Sequence, residues 1–494
     1  MHLTIERLAQ TILFILLFVM GIGVPLDTDL WWHVRAGEHF LEEGRILRQD
    51  TFSYSQVGQA WVNHSWGGQV ILALAYRATG GNGALDDTGT IGLALYTAFF
   101  STAGMLILYR LCQGNIYSKA FVMVLGAATA AVFWSPRPQM ISFFLGTVVL
   151  WLLYQYKYAQ RDAWLWALIP LMAVWVNSHG GFAIGFILIL GLMAGEAVGQ
   201  LLDSQAPHRL GWRRLGKLGV ISLLALFALS LNPYGPRMML YPFDTVGLQT
   251  LNLFIQEWLS PNFKNPQTWT FMLMLLAILT LASQTRARLD WSEVSLVVGT
   301  AILALFAARN IAVFAIVATP ILSRQVADFL EERGWRLPPP SPLTRAKLWL
   351  NWALLGLITL GALAQIATTL APRNVEATQA EFLPVGALDY LKANPPPGPI
   401  FNHYNWGGLL IFELPNVPVL LDGRTDLYGD AFLKDYFNAL LGGSEWRTLF
   451  EEYNIQAAFL ESESALTTLL REDEAWTVVY EDEQAIILQR QSAP

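Results

Sequence analysis

Apolar runs of about 20 residues recur along the whole chain, and they restrict its fold more than any other feature. A helix needs roughly that length to cross a bilayer core of about 30 Å. Such runs lie near 8–25, 88–111, 119–135, 139–156, 163–177, 180–202, 216–232, 268–285, 291–308, 310–327 and 348–371. About eleven transmembrane helices are therefore expected. A shorter stretch at 67–78, ending in Tyr76-Arg77, reads as an interfacial helix. Composition supports the membrane reading: 54% of residues are apolar, 14% are charged, and there are 19 Trp and 27 Phe. That excludes disorder, which needs few aromatics and much charge, and it exceeds what soluble cores hide. A net charge of −7 offers no basic face for nucleic acid. The single cysteine, Cys112, excludes a disulfide framework and a multi-cysteine metal cage.

Charge sets the expected orientation, because cytoplasmic loops are enriched in Lys and Arg. With Arg7 inside, alternate connections carry Arg110 and Lys119, Lys157 and Arg161, and then Arg209, Arg213, Arg214 and Lys217. Arg286 and Arg288 follow, and after them Arg324, Arg333, Arg336, Arg345 and Lys347. The short connections on the opposite side hold Arg137, Arg309 and little else. The N terminus is read as cytoplasmic and the C terminus as extracytoplasmic. No small-residue cleavage site follows the first run, only Val24-Pro25-Leu26-Asp27, so that run is read as an uncleaved helix.

Two regions stand apart: a long outer loop at 26–87 within the membrane domain 1–371, and a soluble extracytoplasmic tail at 372–494. In the tail, Val385 to Leu391, 430–441 and 445–453 read as helices. Pro399 to Phe401, Val417 to Leu421, 455–460, 476–480 and 484–488 read as strands. Together they predict a small α/β domain. Pro338-Pro339-Pro340 reads as a stiff connector before the last span.

The unusual polar residues fall on the outer side, where ionisable groups at a membrane boundary mark functional sites by default. In the first loop, Leu30, Val34, Gly37 and Leu41 recur at helical spacing, which predicts an amphipathic helix over 28–43 lying on the membrane. Asp29 and His33 would share a face of it. Asp27 is a candidate second acid or a helix cap, and Trp31 and Trp32 are candidates for an interfacial belt. Asp50 is a turn residue or a site residue. His64, among aromatics, is either a sugar-stacking neighbour or structural. Asn177 and His179 precede Gly180-Gly181, where backbone approaches closely. Arg137 and Arg309 are outer cations suited to phosphate. Arg309 borders an apolar run and so needs a partner, either an acid such as Glu257 or a ligand phosphate. In the tail, Asn405 and Trp406, then Asp422 and Arg424, follow buried strands, where ligands often bind. No Walker A, GxSxG, HExxH or zinc-spaced Cys/His motif is present.

The opening Asp27-Thr-Asp29-Leu-Trp-Trp-His, then Trp175-Val-Asn-Ser-His-Gly-Gly181, Asn232-Pro-Tyr-Gly235 and Asn405 to Arg424, resembles the GT-C superfamily of membrane glycosyltransferases. The match is to prokaryotic proteins with an Asp-x-Asp-x-Trp-Trp-His first loop. The resemblance implies a polyprenyl-phosphate-linked sugar as donor, a site in the prokaryotic cytoplasmic membrane, and a catalytic acid in the first loop. In aminoarabinose- and mannosyltransferase-like relatives that acid belongs to an Asp-Glu pair. Asp29 takes the Asp position here, Leu30 replaces the Glu, and Asp27 is the second acid. The choice of base between Asp27 and Asp29 and the use of a divalent cation (Mg or Mn) both stay open. The expected reaction is inverting transfer to an acceptor hydroxyl on a glycan, lipid or protein, with Asp29 as general base, His33 orienting, and the outer arginines stabilising the leaving phosphate. The competing readings are a lipid-linked solute transporter and a non-catalytic subunit of a membrane complex.

Overall fold

The computed structural model describes residues 3–85, 88–203, 208–337 and 343–491, and the Pro338-Pro339-Pro340 connector lies outside them. Each expected apolar run forms a helix. Seven helices among the described residues are long and apolar enough to cross a membrane: Gly89–Tyr109, Ile116–Phe133, Gln139–Lys157, Gly180–Leu202, Pro266–Gln284, Ala308–Glu332 and Arg345–Thr369. The other expected runs fall short for identifiable reasons. Ile5–Met20 and Trp291–Phe306 have only 16 residues each. The 163–177 run divides into a 3₁₀ turn, Asp162–Ala167, and an 11-residue helix, Leu168–Ser178. The 216–232 run belongs to Gly211–Ala228, whose first turns carry Arg213, Arg214 and Lys217.

Ala308–Glu332 forms the centre of the bundle: Ile311 to Ser323 are buried without a break, as in a core helix that is apolar all round. Pro320 removes one backbone donor there, and the enclosing helices tolerate it. Arg345–Thr369 is the opposite case. Its one buried residue is Asn351, whose amide donates to the Leu3 carbonyl at 2.8 Å.

Gln139–Lys157 begins two residues after Arg137, so Arg137 and Lys157 mark opposite ends of the bundle, about 28 Å apart along a 19-residue helix. The Lys157 end is clamped by ion pairs to Glu196 and Asp290, both at 2.7 Å. The Arg137 end carries the first loop and the tail.

The tail holds a four-stranded mixed sheet of β1 (Ile400–Asn402), β2 (Ala457–Glu461), β3 (Trp476–Glu481) and β4 (Ala485–Arg490) in the order β1-β2-β4-β3. β1 runs parallel to β2, and the other neighbours are antiparallel. Val417 to Leu421, expected as a strand, stays outside this sheet and makes a single bridge, Ser53 to Val419. The Asn402 side chain accepts from the Leu420 N–H and donates to the Leu421 carbonyl, both at 2.9 Å, and so replaces a strand partner.

The first-loop helix forms as expected, at Asp29–Glu43, but it does not lie open on a membrane. It packs between Trp66–Ala78 and the tail helix Gly407–Glu413. Trp31 is fully buried with its ring 4.7 Å from Phe412, and Trp32 is 5% exposed. The belt reading of Trp31 and Trp32 is therefore corrected, because protein covers these rings. Loop and tail also exchange backbone bonds: Tyr54 N–H to the Val419 carbonyl, 3.0 Å, and Val419 N–H to the Phe52 carbonyl, 3.1 Å.

Candidate active site

Asp27 and Asp29 meet at the start of the first-loop helix. Asp27 accepts from the Asp29 backbone N–H at 3.1 Å, an Asx turn that sets the helix entry, while the N-cap residue Thr28 makes no side-chain cap. The second oxygen of Asp27 lies 3.0 Å from Arg137 Nε. Arg137 Nη1 donates to Asp29 at 2.9 Å and Nη2 donates to Glu257 at 3.1 Å. The other oxygen of Glu257 is 3.3 Å from Arg309 Nη1, and the Arg309 guanidinium lies 4.4 Å above the Trp258 ring. Four segments far apart in sequence thus build one network of alternating charge, and the partner expected for Arg309 is Glu257. Arg137 is itself held by its carbonyl, which accepts from Tyr96 at 3.1 Å.

Desolvation dominates the electrostatics. It raises Asp29 to about 7, helped by the charges of Asp27, Glu257 and Asp422 and opposed by Arg137. Burial also works against the charged forms of Glu257 and Arg137. Arg309 and Arg137 nevertheless hold Glu257 below its usual range, and the three carboxylates hold Arg137 above its own. Burial lowers His33 and His179 well below the usual range and brings His64 to about 4. All three imidazoles are neutral at pH 7.

The histidines line the same region. His33 Nδ1 accepts from Gln69 at 3.3 Å, so it turns to Trp66–Ala78 rather than to Asp29. His179 Nδ1 accepts from Gly181 N–H at 3.0 Å and meets Ser142 Oγ at 2.8 Å. His64 Nδ1 lies 2.6 Å from Tyr241 Oη, and its ring centre is 6.2 Å from that of His179. Asn177 braces the scaffold: it accepts from Trp66 Nε1 at 3.0 Å and donates to the Leu231 carbonyl at 2.8 Å.

The tail motifs come up beneath this site. A Cβ on Gly423 would lie 2.0 Å from an Asp29 carboxylate oxygen, and one on Gly408 would lie 2.2 Å from the Thr28 carbonyl. At Gly408 the clash is with backbone and requires glycine, whereas at Gly423 a side chain would displace the Asp29 carboxylate. Asp422 and Arg424 form a buried latch. Arg424, 1% exposed, donates to Asp422 at 2.8 and 2.7 Å and pairs with Asp50 at 2.6 Å. Asp50 is the expected turn residue, accepting from Phe52 and Ser53, with this ion pair added. Trp406 packs on His403 and Phe459 in the tail core, and Asn405 is exposed. Tyr241, Tyr404 and Asp426 were not singled out by the sequence. Tyr404 senses the charges of Asp29 and Glu257, and Asp426 lies 3.5 Å from Tyr241 Oη. No local pattern marks them, because only the docking of the tail brings them here.

The donor set does not fit a divalent cation. Asp27 and Asp29 each direct an oxygen at Arg137, so a guanidinium takes the position between the two acids. No group of three or more His, Cys, Asp or Glu suited to a metal occurs among the described residues.

No family model matches the chain, and no curated protein matches it. Solved structures do. The archaeal oligosaccharyltransferase AglB from Archaeoglobus fulgidus, in complex with an inhibitory peptide and a dolichol-phosphate, aligns with a TM-score of 0.59 at 12% identity, covering 92% of this chain and 69% of that one. The apo form of the Archaeoglobus fulgidus oligosaccharyltransferase aligns at 0.57 and 13% identity, over 92% and 70%. ArnT from Cupriavidus metallidurans, also apo, aligns at 0.50 and 14% identity, over 97% of both chains. The chain shares the fold of these proteins.

Proposed function

We propose that this protein is an integral-membrane glycosyltransferase that moves a sugar from a polyprenyl-phosphate donor to an acceptor hydroxyl, with inversion. One observation carries the reading: a partly buried carboxylate, Asp29, raised to about 7, is held by Arg137 at one end of a GT-C-like bundle, with Arg309 next in the same network through Glu257. The charge pattern of the loops supports a cytoplasmic N terminus and an extracytoplasmic site and tail. Such an orientation suits a prokaryotic cytoplasmic membrane, with all spans counted as crossings. Neither competing reading gains an observation of its own: Asp29 and Arg309 join one charge network through Arg137 and Glu257, His179 lies within reach of the charges of Arg137 and Arg309, and His33 turns instead to Gln69.

In the proposed reaction Asp29 takes the proton of the acceptor hydroxyl as its oxygen bonds to the anomeric carbon. The bond from that carbon to the phosphate oxygen breaks, and polyprenyl phosphate leaves with the electron pair. A general base works best with a pKa near the operating pH, which the desolvation of Asp29 supplies. Arg137 already meets three carboxylates, whereas Arg309 meets Glu257 alone. Arg309 is therefore the cation for the departing phosphate, stacked on Trp258 and aimed before reaction begins. His33, His64 and His179 line the acceptor side, and the acceptor is a glycan, lipid or protein hydroxyl.

The test is transfer of label in native membranes from a panel of radiolabelled polyprenyl-phosphate sugars. Label moved by the wild type and lost in Asp29→Asn supports the reading. Equal transfer by the two, with equal expression, refutes the role of Asp29. In the same assay Arg309→Gln is expected to lower transfer about 10²-fold, the order typical of losing one preorganised donor to developing charge. Transfer is also expected to persist in a chelator of divalent cations, because Arg137 holds the position between the acids.

A further inference from the structure

His33 and His179 have their tautomers set by donors on Nδ1. A Gln69 amide N–H points at His33, and the Gly181 backbone N–H points at His179. Ser142 reinforces the second case: it accepts from Trp175 Nε1 at 2.7 Å and turns its own hydrogen to His179. Both rings therefore carry their proton on Nε2 and present it as a donor.

His64 is wired differently. Its Nδ1 meets Tyr241 Oη, and the same oxygen lies 3.5 Å from the Asp426 carboxylate in the first turn of the tail helix Thr425–Leu440. A carboxylate only accepts. The Tyr241 hydrogen then goes to Asp426, and the acceptors beside the His64 ring are the Tyr241 oxygen, 2.6 Å from Nδ1 and 3.5 Å from Nε2, and the Val62 carbonyl; the shorter contact puts the hydrogen on Nδ1 and leaves Nε2 with its lone pair. That edge faces the bare Gly180 turn, where a Cβ would lie 3.4 Å from Nε2.

We propose that Asp426 and Tyr241 are positioning residues that fix the tautomer of His64, so that His64 Nε2 accepts from the incoming acceptor hydroxyl while His179 Nε2–H donates to the same oxygen. This rests on the transferase reading and adds to it the means by which the nucleophile is held. A hydroxyl bonded in this way is held by His179 and His64 before reaction; as its oxygen closes on the anomeric carbon its hydrogen leaves His64 and passes to Asp29, which takes the proton, while the hydrogen bond from His179 stays on the oxygen. The charged and titratable groups around the relay are Arg424 and Asp422 on the tail, Tyr234 facing Asp426, Arg309 near Tyr241 and His179, Arg137 near His179, and His33 facing both His64 and His179. Burial raises Asp426 to about 6 against the pull of Arg424, so the carboxylate is ionised at pH 8 and protonated at pH 5. Protonation reverses the relay: Asp426 donates to Tyr241, Tyr241 donates to His64 Nδ1, and Nε2 gains the hydrogen.

The test reads the tautomer directly, by solid-state ¹⁵N NMR of the full-length protein in lipid, with ring-labelled histidine and His64 assigned through His64→Gln. The expected wild-type result is the Nδ1–H form at pH 8, converting to Nε2–H as pH falls through about 6. In Asp426→Asn the amide donates to Tyr241, and Nε2–H is expected at pH 8 as well. Asp426→Glu is expected to restore Nδ1–H at pH 8, a rescue that a purely packing role would not give. An Nε2–H form in the wild type at pH 8, or a tautomer unmoved by pH down to 5, overturns the proposal. If Asp426→Asn also shifts the His33 and His179 signals, its fold is disturbed and the wild-type titration decides alone. No donor or acceptor is present in this measurement, so a failed transfer assay and a failed relay are separate results.

Discussion

Transfer by the wild-type protein is expected to fall about tenfold per pH unit below about 7 and to level off above it, because only ionised Asp29 accepts the proton. Asp29→Asn is expected to erase that limb and lower the rate about 10²–10⁴-fold at every pH, the range typical of losing a general base. The change is nearly isosteric. An asparagine oxygen can still accept from Arg137 Nη1, so the network keeps its shape while the base is lost. Asp27→Asn separates the two acids. The charge of Asp27 helps to raise Asp29, so its removal lets Asp29 ionise more easily, and the acid limb moves to lower pH with the plateau retained. A flat profile and collapsed rate in Asp27→Asn, with a normal profile in Asp29→Asn, would reverse the two assignments.

Arg424→Met is expected to cost about 3–5 kcal/mol, the range for removing one partner of a buried ion pair. Asp50 and Asp422 are both fully buried, and the substitution leaves the two carboxylates without their cation. It also removes the guanidinium lying 5.0 Å from the Phe52 ring centre and 4.9 Å from that of Trp61. Because the latch joins first loop to tail, the apparent melting temperature of the purified protein should drop by roughly 5–10 °C. Adding Asp50→Asn and Asp422→Asn should recover part of the loss, since the stranded charges then disappear. Arg45→Met, which removes an exposed pair with Glu43, is the control and should change stability by about 1 kcal/mol or less.

How far such sites can be read from sequence depends on where the partners lie. Hydropathy located all seven helices that are long and apolar enough to cross a membrane among the described residues, because lipid imposes a length and an apolar surface that a single run records; it also marked four runs whose helices fall short of that standard. The helical spacing of Leu30, Val34, Gly37 and Leu41 located the first-loop helix for the same local reason. It could not say what covers that helix: Phe412 and lipid are equivalent to a Trp31 ring until the tail is placed. The pairing of Arg309 with Glu257 was legible, since an arginine beside an apolar run needs a counter-charge. The Asp50 to Arg424 pair and the Asp426 to Tyr241 contact were not, as each joins segments whose meeting is set by the fold. Val417 to Leu421 reads as a strand in sequence because burial and β-branching look alike whether a neighbour strand or the Asn402 side chain satisfies the backbone.

The docking of tail on first loop also has a consequence for biosynthesis. Tyr54 donates to the Ile400 carbonyl across 346 residues of chain. At roughly 5–20 residues per second, the first loop waits about 20–70 seconds for its partner to be made. Throughout that interval the surfaces around Trp31 and Trp61, both closed in the finished protein, stand open. The nascent chain therefore needs a holding factor or the bilayer surface to shelter them. A ribosome that stops before the Gly423 turn releases a protein already threaded through the membrane but with no floor beneath Asp29. On the proposed reading, a competent site therefore waits until the Gly423 turn has been made.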